Sequence, residues 1–357
     1  MSAFPGLTKQ TPHFTSLLAA RSKRLRPTLS DIAEAAQVSL ATVDRVMNAR
    51  SGVSARTRNQ VMTAARSLGY LPDGDAPRPL RLALLLPQGT NAYIAELARQ
   101  AQDQALANTS LDLEIVRTRA LDPLALAEAL VHAGETSEAV AVVALNHPAV
   151  REAIRSLAGN GVPVVTLASD SPDAPRRAFI GIDNGQAGRL AGYTVGRFLG
   201  EKPKGKVALF AGTIAYRGHQ EREMGFRQVL AEEFPDLEVL ELRESREDRK
   251  KAYRLTRALM DAHGDLVGLY NAGGATVGIA AALEDAGRKN LVFVAHEATE
   301  ENKAYLLSGT LDGVIDQNAR AQVRKAFATL AHSVEGKDYR FDPLQLQLIL
   351  RENLPPL

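Results

Sequence analysis

The sequence predicts a small all-α unit with a helix-turn-helix, followed by a larger two-lobed α/β unit with parallel sheets. Three short helical patterns occupy residues 28–69. Beyond residue 80, short unbroken apolar runs alternate with amphipathic segments of helical length. Apolar strands that alternate with helices are typical of a parallel sheet covered on both faces. This pattern fills most of the 357 residues, more than one core needs, which predicts two lobes with a cleft between them.

Composition predicts a soluble globular chain with an uneven charge. The chain has 45% hydrophobic residues, 24% charged residues and no cysteine, which excludes disulfides, thiol nucleophiles and cysteine metal sites. It has no apolar leader and no apolar run near the ~20 residues of a membrane helix, so we expect a cytoplasmic protein without a membrane partner. Residues 1–80 carry eleven basic and five acidic side chains, a net +6, which leaves −4 of the total +2 for the remainder. The basic front end indicates either a polyanionic partner or simply a soluble basic leader.

The N-terminal part divides into an arm, three helices and a linker. Residues 1–26 lack any period and end in a basic cluster, which predicts a flexible basic arm. Residues 27–72 hold the helices, for which Ser30, Ser39 and Ser54 are the predicted caps. The predicted apolar core is Ile32, Ala33, Ala36, Val43, Val46, Met47, Val61, Ala64, Ala65 and Leu68. Residues 73–80 form a proline-rich linker, and residues 81–357 form the two-lobed unit.

The first two helices, joined by Gln37-Val38-Ser39, fit a helix-turn-helix, whose second helix can enter the major groove of DNA. An arginine such as Arg45 can donate two hydrogen bonds to a guanine edge. The other side chains that the core does not need are Leu40, Ala41, Asp44 and Asn48, and those able to bind phosphate or helix-end groups are Thr28, Ser39, Thr42, Ser54 and Asn48. Any helix pair in an α-helical domain would show the same periodicity, so the pattern alone leaves DNA binding and a structural role open.

Residues 28–72 resemble the DNA-binding headpiece of the LacI (lactose-repressor) family. The shared elements are Thr-Leu at 28–29, Asp-Ile-Ala at 31–33, Val-Ser at 38–39, Thr-Val-x-Arg-Val-x-Asn at 42–48, Val-Ser-x-x-Thr-Arg at 53–58 and Gly-Tyr-x-Pro at 69–72. The resemblance implies base contacts by Leu40, Ala41 and Arg45, phosphate contacts by Thr28, Ser39 and Asn48, and a loop near the DNA at Gly52. It also implies a homodimeric repressor on a palindromic operator, because one headpiece contacts too few bases.

Two features depart from that family. Asp44 stands where the family commonly has serine, and phosphate repels a carboxylate there unless it accepts from cytosine N4 or pairs with Arg45. We therefore expect Asp44 to set sequence preference rather than affinity. The family's headpiece continues into a hinge helix that wedges a leucine into the minor groove, but prolines stand here at 72, 77 and 79. We expect no hinge helix and little kinking of the operator.

Residues 81–350 resemble the type I periplasmic-binding-protein fold that LacI regulators carry as a sugar sensor, with ribose-binding-like proteins as the best pattern. Open α/β sheets bind ligands at the carboxyl ends of their strands. The resemblance places there Asn91, Tyr93, Ser169, Asp170, Arg222, Asn271, His296, Glu297 and Gln317. Polar members of this set would bond hydroxyls, and Tyr93 would stack on a sugar ring. Implied crossovers assign 81–183 and 318–341 to lobe one, and 184–317 and 342–357 to lobe two.

Some of these side chains have ordinary structural alternatives. Asn91 can cap the next helix, Arg222 can pair with a glutamate of its own helix, and Tyr93 and His296 can be buried core. The set also departs from the ribose pattern, because Asn271 lacks a following Asp and His-Glu at 296–297 replaces Phe-Asp. We therefore expect a pentose, hexose or inositol-like effector with a different hydroxyl pattern from ribose.

Motifs for catalysis are missing from the sequence. It has no GxxxxGK[ST] loop, no GxGxxG after the first strand and no GxSxG elbow, and its seven histidines form no HExxH. We expect no cofactor, no metal site and no enzyme. The alternatives are a solute-binding protein of a sugar-uptake system, which the headpiece and the missing leader oppose, and, less favoured, a sugar-processing enzyme.

Overall fold

The computed structural model describes residues 27–48, 50, 52–71, 78–288 and 290–354. The predicted arm over 1–26 and the linker residues 73–77 lie outside this range, as do residues 72–77 of the segment for which no hinge helix is expected, so these expectations stay predictions. The chain divides into two compact units, residues 1–78 and 79–357.

The first unit contains three helices: α1 (Leu29–Ala35), α2 (Leu40–Met47) and α3 (Ala55–Ser67). Ser39 and Ser54 cap α2 and α3 as predicted, by accepting from the backbone N–H groups three residues on. Thr28 rather than Ser30 caps α1, which corrects the prediction. The reason is a capping box, in which Thr28 and Asp31 each accept from the other's backbone N–H.

The core of this unit lies where the three helices meet. Ile32, Val43 and Val61 are fully buried there, and Gln60 donates to the Ala36 carbonyl oxygen at 2.8 Å, which ties α3 to the end of α1. Leu68, predicted to point inward, is 39% exposed. It follows the last helical residue of α3 as the C-cap, so the helical period no longer directs its side chain toward the core.

Lobe one of the second unit is built on a five-stranded parallel sheet in the order β2-β1-β3-β4-β5. Its strands are β1 (Leu80–Pro87), β2 (Leu111–Thr118), β3 (Ala139–Val142), β4 (Val164–Leu167) and β5 (Ala178–Ile180), and its first helices are α4 (Ala92–Leu106), α5 (Pro123–Thr136) and α6 (Pro148–Gly159). Strands β3 and β4 are buried along their whole length, as expected for a sheet with both faces covered.

Lobe two is built on a seven-stranded sheet with the path β12-β11-β10-β9-β6-β7, in which β8 also pairs with β6. Its strands are β6 (Gly205–Ala211), β7 (Leu237–Val239), β8 (Arg243–Glu244), β9 (Leu266–Asn271), β10 (Val292–His296), β11 (Gly313–Asp316) and β12 (Gln347–Ile349). Its helices are α7 (Asn184–Phe198), α8 (Arg217–Glu233), α9 (Arg249–Ala262), α10 (Thr276–Asp285) and α11 (Glu300–Ser308). The sequence predicted parallel strands, and the other strand pairs of this sheet are parallel. The edge strand β12 differs from the prediction because it is antiparallel to β11.

The chain passes between the lobes three times. It enters lobe two after β5, returns after β11 to form α12 (Ala319–Val334), and crosses again before β12. Val323, Phe327 and Leu330 of α12 belong to the core of lobe one. Among the described residues, no helix has the length and apolar character needed to cross a membrane.

Glycines let α7 and α8 pack in direct backbone contact. A Cβ atom on Gly188 would lie 2.0 Å from the Arg222 carbonyl oxygen, and one on Gly225 would lie 2.1 Å from the Gly185 carbonyl oxygen. Only glycine allows this approach at both positions. The close packing fixes the backbone of Arg222, and therefore the point from which its side chain reaches the carboxyl end of the sheet.

Candidate functional sites

A cleft of about 520 Å³ opens between the carboxyl ends of the two sheets. Loops after β1, β2 and β4 form one wall, and loops after β6, β8, β9, β10 and β11 form the other. This volume lies within the range of small-molecule sites, roughly 300–1,000 Å³. The predicted ligand residues that line it are Asn91, Tyr93, Ser169, Arg222, His296, Glu297 and Gln317.

Arg222 is the most deeply placed cation of the cleft, with 4% of its surface exposed. Its Nε donates to Asn184 Oδ1 and its Nη1 to the Ala272 carbonyl oxygen, both at 2.8 Å. The neighbouring glutamates pair with other arginines of α8, so the alternative of a local ion pair does not apply. Among the described residues, no carboxylate forms an ion pair with Arg222. A buried cation held only by neutral groups is able to bind a further acceptor at the cleft.

His296 and Glu297 follow one another at the end of β10. Burial, and then the charge of Arg222, holds the pKa of His296 well below its ordinary value, so its ring is neutral. Its Nε2 lies 2.7 Å from the Tyr270 hydroxyl. Glu297 accepts a hydrogen bond from the Gln317 amide, and burial followed by the charge of Asp316 raises the pKa of Glu297 to about 8. The carboxyl group of Glu297 is therefore largely protonated at neutral pH.

Asn91 caps a helix, which is one of the alternatives that the sequence left open, and it also lines the cleft. Its Oδ1 caps α4 by accepting from the N–H groups of Tyr93 at 2.9 Å and Ile94 at 3.4 Å. Its Nδ2 donates to Glu247 on the opposite wall at 3.0 Å. Tyr93 is buried at 8% exposure, so both its core role and its cleft position hold. Burial raises the pKa of Tyr93 well above its ordinary value, so the phenol stays neutral.

In the first unit, α2 has an exposed face that contains predicted DNA-binding residues. Leu40 is 50% exposed, and Ala41, Arg45 and Asn48 are also exposed. A shallow groove beside this face is lined by Thr28, Leu29, Ser30, Leu40, Ala41 and Asp44. Ser39 and Thr42 hydroxyls lie 2.8 Å apart at the start of α2, and exposed Gly52 has a left-handed φ of 92°.

Asp44 does not pair with Arg45, which was one of its two expected partners. Its Oδ2 instead accepts from Arg50 Nη1 at 3.0 Å, and its Oδ1 accepts from Asn48 Nδ2 at 2.8 Å. Arg45 is exposed on this face, and the Asp44 carboxylate is engaged by Arg50 and Asn48 instead.

Comparison with known families identifies both units. Residues 82–338 match the family of periplasmic binding protein domains, and residues 28–73 match the lacI family of bacterial regulatory proteins. The chain belongs to the periplasmic-binding-protein family and carries a LacI-family DNA-binding domain. These matches confirm the predicted family and the predicted fold class.

Relatives of this LacI-type chain include transcriptional regulators. The HTH-type transcriptional regulator DegA of Bacillus subtilis is 24% identical over 228 residues, 58% of this chain and 62% of DegA. Catabolite control protein A of Staphylococcus epidermidis is 28% identical over 211 residues, 57% of this chain and 61% of that protein. The chain thus spans about three fifths of the length of these relatives.

Solved structures share the fold of the periplasmic-binding-protein domain. GanP, a glucose-galactose binding protein from Geobacillus stearothermophilus, superposes with a TM-score of 0.71 at 23% identity and covers 78% of this chain and 99% of GanP. An ABC transporter solute binding protein from Burkholderia graminis, in complex with D-arabinose, gives a TM-score of 0.71 at 20% identity and covers 78% of this chain and 98% of its own.

Two predicted ligand residues of the LacI-type chain lie away from the cleft wall. Asp170 accepts from Thr166 Oγ1 at 2.7 Å and pairs with Arg176, so its carboxylate serves the fold of lobe one. Asn271 is fully buried and donates to the Gly274 carbonyl oxygen at 2.9 Å. It shapes the loop before α10, whose backbone does line the cleft.

Several cleft residues of this domain were not predicted. They are Gln88, Leu121, Tyr216, His219, Arg246, Glu247 and Lys250. Backbone geometry is one signal that distinguishes the site, since non-glycine residues with left-handed φ line the cleft at Leu121, Ala168, Arg246, Glu247, Ala275 and Glu297. Such conformations cost about 1–3 kcal/mol each and tend to cluster where a ligand is bound.

Glu297→Gln is expected to weaken the pH dependence of stability. The folded protein holds a proton on Glu297 up to a pKa of about 8, whereas the unfolded chain loses it near 4.5. The wild-type protein therefore loses stability as the pH rises through this window, by at most about 1.4 kcal/mol per pH unit from this group. Glutamine keeps the shape and stays neutral, so the variant avoids this loss.

Urea unfolding of the wild type and of Glu297→Gln at pH 5, 6.5 and 8 measures the effect. The difference in free energy of unfolding, variant minus wild type, should become more positive at each step up in pH. Glu241→Gln, at an exposed glutamate paired with Arg243, serves as control and should show no such trend. A constant difference between variant and wild type across the three pH values contradicts the prediction.

Proposed function

We propose that this protein is a sequence-specific DNA-binding transcriptional repressor whose operator affinity is controlled by a small sugar or polyol bound in the cleft. The observation that carries the proposal is one chain with an exposed LacI-type α2 face and a two-lobed cleft containing a buried, carboxylate-free Arg222. The relatives named as regulators support the first half. The solved relatives named for glucose and galactose, or bound to D-arabinose, support the second.

The chemistry of the cleft suits a neutral ligand with many hydroxyl groups. Ser169 Oγ, His296 Nδ1, Glu297 Oε2 and Gln317 Oε1 are buried and have no hydrogen-bond partner among the described residues. Buried polar groups of this kind are costly unless they are paired. Hydroxyl groups both donate and accept, so a sugar or polyol can pair with donors such as Arg222 and acceptors such as Gln317 at once.

We further propose a cytoplasmic homodimer on a palindromic operator. One headpiece offers a single short helix to the major groove, and two copies placed one helical turn apart double the number of bases contacted. Closure of the lobes on a ligand would change the geometry of the dimer. A coupling free energy of about 1–3 kcal/mol would change operator affinity about 5- to 150-fold.

Fluorescence anisotropy on a DNA site selected from a random library tests the proposal. The neutral probes are D-glucose, D-galactose, D-arabinose, D-ribose and myo-inositol, and a scrambled DNA site is the control. We expect sequence-specific binding that at least one probe changes fivefold or more. Specific DNA binding that ignores all probes would remove the sugar from the proposal, and an absence of sequence-specific binding would overturn it.

A further inference from the structure

Glu247 joins the two lobes across the cleft. It belongs to the loop between β8 and α9 in lobe two, whereas its hydrogen-bond partner Asn91 begins α4 in lobe one. The bond from Asn91 Nδ2 to Glu247 Oε2 measures 3.0 Å. Since the two residues lie on opposite walls, a ligand between the lobes must meet this pair.

The backbone is arranged to turn Glu247 inward. Arg246 and Glu247 both have left-handed φ values, 54° and 61°. On one side of them, the N–H groups of Ser245 and Arg246 donate to the carbonyl oxygens of Ala211 and Gly212 at 2.8 Å. On the other side, Asp248 caps α9 through the N–H of Lys251. Left-handed φ values cost free energy at non-glycine residues, and such residues cluster at functional sites. Two of them in succession, fixed by hydrogen bonds on both sides, therefore indicate that the position of Glu247 is functional.

Two glycines leave room for the carboxylate. A Cβ atom on Gly212 would lie 1.6 Å from Glu247 Oε1, and one on Gly274 would lie 1.9 Å from Oε2. The backbone N–H of Gly274 also donates to this carboxylate and favours its charged form, although burial raises the pKa of Glu247 overall. The Glu247 carboxylate therefore packs closely against Gly212 and Gly274 in the cleft wall.

Asn91 has hydrogen-bonding capacity left beside this carboxylate. Its Oδ1 is used by the cap of α4, but Nδ2 carries two hydrogens and only one is directed to Glu247. A hydroxyl group between the two side chains can donate to the carboxylate and accept from the second hydrogen of Nδ2. An anionic oxygen there would satisfy Asn91 but would be repelled by Glu247.

We propose that Glu247 is a specificity-determining residue of the cleft, which with Asn91 selects one hydroxyl group of the ligand and excludes acidic sugar derivatives. The inference rests on the proposed sugar site and goes beyond it, because the cleft also contains basic side chains. Arg222, Arg246, Arg249 and Lys250 line the wall and would favour uronic or aldonic acids. The acids Asp248, Glu297 and Glu301 also line it, but Glu247 is the carboxylate that accepts from Asn91 across the cleft. A carboxylate at this point opposes an acidic group on the ligand there.

Calorimetry on the full chain at pH 7, where Glu297 is largely protonated, tests this inference with matched probes. The neutral probes are D-glucose, D-galactose, D-arabinose and myo-inositol, and the acidic probes are D-glucuronate, D-galacturonate and D-arabinonate. The wild type should prefer a neutral probe at least tenfold over its acid. Glu247→Gln should weaken neutral binding at least tenfold and reduce or reverse the preference, because glutamine keeps the size but loses the charge.

Two further variants separate the causes. Glu247→Asp keeps the charge on a shorter side chain, so it should lose neutral binding yet still exclude the acids. Glu241→Gln removes an exposed carboxylate six residues earlier and should match the wild type. Circular dichroism and thermal unfolding check that each variant is folded.

The possible results distinguish the two proposals. A wild type that binds no probe overturns the proposed sugar site, and this inference with it. A wild type that binds a neutral probe, with a folded Glu247→Gln whose neutral affinity and preference stay within twofold, overturns only the role of Glu247. A wild type that prefers an acidic probe does the same.

Discussion

Arg222→Met is expected to weaken binding of the effector by at least 100-fold. Arg222 lines the cleft, is 4% exposed and forms no ion pair with a carboxylate among the described residues; its hydrogen bonds to Asn184 and Ala272 use only part of the guanidinium. Hydrogen bonds to a charged group contribute about 1.5–3 kcal/mol each, and two of them to one ligand correspond to roughly 100-fold or more in affinity. Methionine fills much of the same volume but offers no donor.

Lysine at this position distinguishes charge from geometry. Arg222 holds Asn184 and Ala272 with Nε and Nη1 while part of the guanidinium remains for the ligand. A single ammonium group cannot serve these directions at once, so Arg222→Lys should recover only part of the lost affinity.

Arg217→Gln is the matched control for these variants. Arg217 lies on the same helix and pairs with Glu221, outside the cleft wall, so it should bind like the wild type. Titration calorimetry with the probe that binds the wild type measures all three, and anisotropy checks that the DNA affinity without ligand is retained. An Arg222→Met protein that binds the probe within threefold of the wild type would show that Arg222 is not a ligand residue.

Elements with a strong local pattern were predictable, and those set by contacts distant in the chain were not. The unbroken apolar runs that became β1 and β3 are buried as expected, because burial on both faces of a parallel sheet demands such runs. Strand β8, in contrast, spans only Arg243–Glu244. Two charged residues carry no period, so the loop that follows them, and Glu247 within it, had no signal.

The errors at caps and loops have different causes. The capping box was present in the sequence as Thr28-x-x-Asp31, and that pattern favours Thr28 over Ser30, which has no acidic residue three positions on. No comparable signal exists for Asp170. The resemblance located the loop after β4, but Arg176, six residues further on, determines where the carboxylate points. Side-chain direction in a loop depends on such partners.

Arg45→Ala is expected to lower affinity for the selected operator by about 10- to 100-fold while leaving binding to scrambled DNA nearly unchanged. Arg45 is exposed on α2, and Asp44 is already engaged by Arg50 and Asn48, so the Asp44 carboxylate does not compete for the Arg45 guanidinium. A bidentate contact to guanine contributes about 1–3 kcal/mol of discrimination against other bases. The loss should therefore appear at one base pair of each half-site.

Arg45→Lys is the control that separates base contact from charge. A side chain that contacts a base edge neutralises no phosphate, so the salt dependence of operator binding should stay close to that of the wild type in both variants, whereas loss of a phosphate contact would lower the slope by about one unit. The lysine variant should still lose most of the base discrimination, because a single ammonium lacks the two parallel donors. Anisotropy titrations on operators carrying each single-base substitution, at three salt concentrations, measure both quantities. An alanine variant with an unchanged substitution profile would show that Arg45 contacts only the DNA backbone or none of the DNA.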